Sequence, residues 1–119
     1  MSLEKEIVPY EEAVELEELG FNEPCFATYD EDRNFELQDF LQTYETFPSH
    51  IVAAPTFSQA FRWFREKYEL SSWIYNSYMD KYFYTVLENG KIVKANEPST
   101  TYEEAELACL KKLIEIVRA

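Results

Sequence analysis

The residues of this 119-residue chain best able to do chemistry are one histidine, two cysteines and twenty-three Asp and Glu. His50 stands in Pro48-Ser49-His50, where a hydroxyl beside an imidazole has the types of a nucleophile and its base. No glycine-containing elbow frames Ser49, and neither thiol is near it in sequence, so His50 reads as a loop histidine. Cys25 and Cys109 are far apart and form no CxxC pair. The first twenty residues are acidic, unlike a signal peptide, so the expected compartment is a reducing cytoplasm and both cysteines read as buried thiols. The sequence contains no HExxH, no Cys/His ligand spacing and no EF-hand pattern. Asp30-Glu31-Asp32 is a short acidic turn without the glycine and distal glutamate of a calcium loop. With Gly20 and Gly90 as its two glycines, the chain cannot build a phosphate-cradling glycine loop. A carboxylate dyad would need one member desolvated to raise its pKa, and these acids cluster on polar faces. The expectation is a protein that is not an enzyme and takes no cofactor or metal.

The charge is more informative than any motif. Residues 1–50 hold fourteen acids against Lys5 and Arg33, whereas residues 51–119 hold nine acids and nine bases, so the whole net charge of −12 lies between Glu4 and Glu45. Such an excess solubilises, and it can also meet a basic partner. Glu11, Glu12, Glu15, Glu18, Asp30, Glu31 and Asp32 are the candidates for that acidic surface. Direct nucleic-acid binding is disfavoured because it needs clustered Lys and Arg to displace counterions from phosphates. No apolar run approaches the roughly 18 residues of a membrane span.

Three segments open alike, Pro9-Tyr10-Glu11-Glu12-Ala13, Thr56-Phe57-Ser58-Gln59-Ala60 and Thr101-Tyr102-Glu103-Glu104-Ala105. Each has the chemistry of a helix start: a capping hydroxyl at Thr56 and at Thr101 or Thr100, and paired glutamates against the helix dipole in the first and third. The spacing predicts helices over 10–19, ended by Gly20, over 57–69, and over 102–118. Phe57, Ala60, Phe61, Phe64 and Tyr68 make one apolar stripe on the second. Alternation predicts a hairpin over 24–30 and 35–37, then strands over 72–79, 81–88 and 91–95, with Asn89-Gly90 marking a type I′ turn. Residues 39–54 show no clear period. The fold class is α+β, two layers with helices on one face of an antiparallel sheet, in the order α-β-β-α-β-β-β-α. The chain reads as a single domain, 1–119, with an acidic α-β-β part over about 1–54 and an α-β-β-β-α part over about 55–119.

Nine Phe, nine Tyr and two Trp are many for a chain of this length. Helices cover only one face of such a sheet, so strand aromatics must also stand on the other. Cross-strand pairing would use them structurally, and an interface core would use them functionally. Trp63, Trp73, Tyr75, Tyr82 and Tyr84 are the candidates for a partner surface.

The phrases Leu19-Gly20-Phe21-Asn22-Glu23-Pro24-Cys25, Ala54-Pro55-Thr56-Phe57-Ser58-Gln59-Ala60-Phe61-Arg62-Trp63-Phe64-Arg65-Glu66-Lys67-Tyr68 and Thr101-Tyr102-Glu103-Glu104-Ala105 resemble a family of small uncharacterised proteins. That family is carried by phages, prophages and other mobile elements of anaerobic gut bacteria. The resemblance covers nearly the whole chain and implies a cytoplasmic accessory protein, with no catalytic residues to transfer. From Thr56 onward the element order is also similar to that of a double-stranded RNA-binding domain, but Glu103 and Glu104 stand where that family carries phosphate-gripping lysines. The leading expectation is a non-catalytic interaction module acting through protein contacts or self-association, as a homodimer. An acidic nucleic-acid mimic that inhibits a basic host protein is the alternative, and duplex-RNA binding the third.

Overall fold

The computed structural model describes residues 3–42, 51–77, 79–95 and 97–119. Its contacts cluster into two compact units, 1–59 and 60–119. The class is α+β and the elements follow the expected order, with one further two-residue strand. Among the described residues no helix is long and apolar enough to cross a membrane.

The first unit opens with a 3-10 turn, Leu3–Glu6, and helix α1, Tyr10–Glu18. Ala13 and Leu16 are buried on one side of α1. The helix ends where Gly20 takes φ +100°, and the Gly20 and Phe21 amides donate back to the carbonyls of Glu17 and Leu16. These bonds occupy carbonyls of the last helical turn, and glycine adopts that backbone without a Cβ clash. Strands β1 (Cys25–Tyr29), β2 (Phe35–Gln42) and β3 (Val52–Ala53) form an antiparallel sheet in the order β2-β1-β3. The ladder is irregular between Cys25 and Ala27. Strand β2 runs five residues past the expected end at Leu37, and β3 lies in a stretch whose sequence has no period. His50 lies outside the described residues. The Tyr29 hydroxyl donates to the Val8 carbonyl at 3.0 Å and the Val8 amide donates to Pro55 at 2.9 Å, tying the first residues to the sheet.

Helix α2, Phe57–Tyr68, starts at Thr56, whose hydroxyl accepts the Gln59 amide at 3.0 Å. In the second unit β4 (Leu70–Asn76), β5 (Tyr82–Glu88) and β6 (Lys91–Lys94) form an antiparallel meander. Asn89 and Gly90 take φ +50° and +80°, the two positive values a type I′ turn requires. Helix α3, Tyr102–Arg118, is capped by the Thr101 hydroxyl, which accepts the Glu104 amide at 3.1 Å. It packs on β5 and β4, burying Ala105, Cys109, Leu110, Leu113 and Ile114.

Candidate interaction surface

The register of the meander decides which side chains share a face. Trp73 pairs with Thr85, Tyr75 with Phe83 and Ser71 with Leu87, and Leu87 in turn pairs with Ile92. These residues therefore stand on one face, because directly opposed residues point the same way. The other face carries Leu70, Ser72, Ile74, Tyr82, Tyr84 and Val86. Helix α3 covers this second face. A Ser72 hydrogen bond acts on the Cys109 thiol, and the Tyr84 hydroxyl feels Lys112, Cys109 and Glu115 of α3.

The first face is open. Trp73 is 47% exposed, Tyr75 39% and Ile92 58%. The rings of Tyr75 and Phe83 stack across the strands at 5.7 Å, tilted by 20°. Thr85 is buried in the middle of this face. Lys94, opposite Thr85, supplies an exposed cation at its rim and has no ion-pair partner among the described residues. Of the five aromatics singled out in the sequence, Trp73 and Tyr75 come together here.

The remaining three lie elsewhere. Tyr82 meets Tyr102 of α3 edge-on at 6.1 Å, and burial raises the Tyr84 hydroxyl pKa above its ordinary range. Trp63 is only 5% exposed and packs edge-on against Phe64 and Tyr68, with the Lys67 ammonium 5.1 Å from its ring centre. The inward side of α2 is thus Phe57, Ala60, Trp63 and Phe64, turned slightly from the stripe the spacing predicts.

Sequence reasoning missed Phe83, Leu87 and Ile92. The signal for Ile92 was present, because a two-residue Asn89-Gly90 turn fixes Glu88 opposite Lys91 and so Leu87 opposite Ile92. The other connection, 77–81, has no such signature. It closes with the Ser77 amide on the Lys81 carbonyl at 2.8 Å and Asp80 at φ +56°.

The acidic candidates occupy the first unit. Glu11, Glu15 and Glu18 follow one side of α1, whereas Glu12 is turned to the buried side beside Ala13 and is 5% exposed. Glu11 pairs with Arg33 at 3.7 Å, and the Arg33 guanidinium lies 4.8 Å from the Tyr10 ring centre. Asp30 accepts from the Asp32 and Asn34 amides at 2.8 and 2.9 Å and from the Asn34 side chain at 3.1 Å. Its carboxylate holds the turn shut, while Glu31 and Asp32 project to solvent. Among the described residues no group of three or more His, Cys, Asp or Glu is placed to hold a metal ion.

Burial disfavours the thiolate form of both cysteines. Burial, reinforced by Glu23, pushes Cys25 up to about 12. Burial pushes Cys109 up to about 12 as well, against the opposing pull of the Ser72 hydrogen bond. Comparison of the chain with protein-family models, with curated proteins and with solved structures gives no match in any of the three.

Proposed function

We propose that this chain is a non-catalytic interaction module that docks on protein surfaces through the open face of the β4-β5-β6 sheet. The observation that carries the reading is the grouping of Trp73, Tyr75 and Ile92, all exposed, on the face opposite α3. Interface cores are enriched in such aromatics, and an exposed apolar patch on a small domain marks a contact site. The protonated thiols support a reading without covalent chemistry. A mobile-element origin, which the family resemblance implies, would make the partner a protein of the bacterial host cytoplasm.

The test compares wild type with a Trp73→Ala/Ile92→Ser variant in capture from bacterial lysate at low and high salt. The expected result is a captured protein that survives high salt and is lost by the variant. Both replaced side chains are half exposed, so the variant should keep its unfolding free energy within about 1 kcal/mol of wild type. Equal capture by wild type and variant, or an unfolded variant, overturns the reading.

A second reading is favoured by one specific observation, the confinement of the whole net charge to residues 1–59. There the chain is an acidic mimic of nucleic acid that occupies a basic cleft. Its signature is a partner retained only at low salt and indifferent to Trp73. Duplex-RNA binding is the third and weakest reading, because Glu103 and Glu104 are exposed in the first turn of α3 and would repel phosphates. One gel shift with duplex RNA tests it.

A further inference from the structure

Strand β4 is an outer strand. β5 pairs with one of its edges over all seven residues, and among the described residues no strand pairs with the other. Exposed edges invite pairing with another chain, and proteins blunt them with charges, proline, bulges or short length. The other outer strands carry such devices. β6 is four residues long with Lys91 and Lys94 at its ends, β2 carries the exposed Glu36, and β3 has two residues. β4 reads Leu-Ser-Ser-Trp-Ile-Tyr-Asn, with neither charge nor proline and no shift in register against β5.

We infer that β4 pairs antiparallel with β4 of a second copy of the chain, joining two three-stranded sheets into one of six. The inference rests on the reading of this sheet as the contact element and names the occupant of its edge. Charge selects a second copy. Residues 60–119 carry nine acids and nine bases, so the unit that holds β4 presents no net charge of its own to an identical unit. The strand is also complementary to itself, as a two-fold interface requires. With the axis through Trp73, Ser71 faces Tyr75 of the second copy and Ser72 faces Ile74, so no like charges meet. Opposed residues share a face, so Trp73 and Tyr75 of both copies merge into one aromatic strip on the open side.

Sedimentation equilibrium from micromolar to near-millimolar concentration reads the mass against the 14.1 kDa of one chain. Wild type is expected to reach twice that mass. Ser71→Lys/Tyr75→Lys and Ser71→Glu/Tyr75→Glu variants should each stay monomeric with an unchanged far-ultraviolet spectrum, because two pairs of like charges then face each other. Their equimolar mixture should recover the dimer. Should the paired substitutions disturb the fold, Trp73→Lys alone, which faces its own copy on the axis, should weaken dimerisation about tenfold. A wild type of monomer mass at the highest concentration overturns the pairing, as do folded charge variants that dimerise like wild type or fail to recover on mixing. A monomeric wild type leaves the Trp73/Ile92 capture experiment standing, so the two ideas fail separately.

Discussion

At the scale of single residues the chain's carboxylates divide by environment. Asp30 is engaged by three donors and Glu11 by Arg33, whereas one oxygen of Glu17 is buried without a hydrogen-bond partner among the described residues. Desolvation, with the adjacent Glu18 charge second, raises the Glu17 pKa above its ordinary 4.5. The folded chain therefore holds this proton more tightly than the unfolded one. The resulting stability is full below pH 4.5 and is lost as pH rises through the raised folded value. Glu17→Gln removes the ionised form and should stabilise the protein at pH 7. Partial solvent exposure limits the gain to about 0.5 kcal/mol. The gain should vanish in acid, where the wild-type carboxyl is already neutral. Urea denaturation of both proteins between pH 4 and 8 measures the difference, and a gain that does not change with pH would remove ionisation as its cause.

At the scale of elements, the parts whose end signals are covalent in origin were legible. Thr101 with Glu104, Gly20, and Asn89-Gly90 each specify a backbone geometry through their own side chain or lack of one, and the helix or hairpin follows. The Gly90 turn makes this measurable, since a Cβ placed there has nothing within 4 Å. Gly90→Ala should therefore cost about 1 kcal/mol through left-handed backbone strain alone. Thr101→Ala should cost a similar amount by uncapping α3, with Thr101→Ser nearly neutral. Equilibrium denaturation checks both, and a much larger loss at Gly90 would mean that the turn packs against something.

Strand β3 and the far half of β2 were not legible, because two paired residues have no period and Phe35–Gln42 alternates poorly. The open face was half legible. Trp73 and Tyr75 are visible as strand aromatics, but which residues of β5 stand beside them depends on the closure at Ser77 and Lys81, which residue type does not announce. Trp63 shows a related limit. Its place beside the apolar stripe is compatible with a surface position, and the slight turn of α2 that buries it comes from packing.

At the scale of the whole molecule, charge and compactness divide the chain almost alike. Residues 1–59 hold two bases against fourteen acids, and residues 60–119 are neutral. Self-repulsion of this size opposes compaction and is screened by salt, the Debye length falling from about 30 Å at 0.01 M to about 10 Å at 0.1 M. Adding sodium chloride over that range should raise the thermal midpoint by roughly 4 °C, equivalent to about 1 kcal/mol for a chain of this size. A flat response would show that the unfolded chain feels the same repulsion.

Both tryptophans, Trp63 and Trp73, belong to residues 60–119, one buried and one half exposed. Intrinsic indole emission is consequently a local witness. Its emitters all belong to the second unit, while the aromatic residues of the first are tyrosine and phenylalanine. Within that emission a soluble quencher separates the accessible Trp73 from the shielded Trp63. A denaturation curve followed by tryptophan light is thus the curve of half the chain, and its displacement from one followed by backbone dichroism measures how far the two units melt as one.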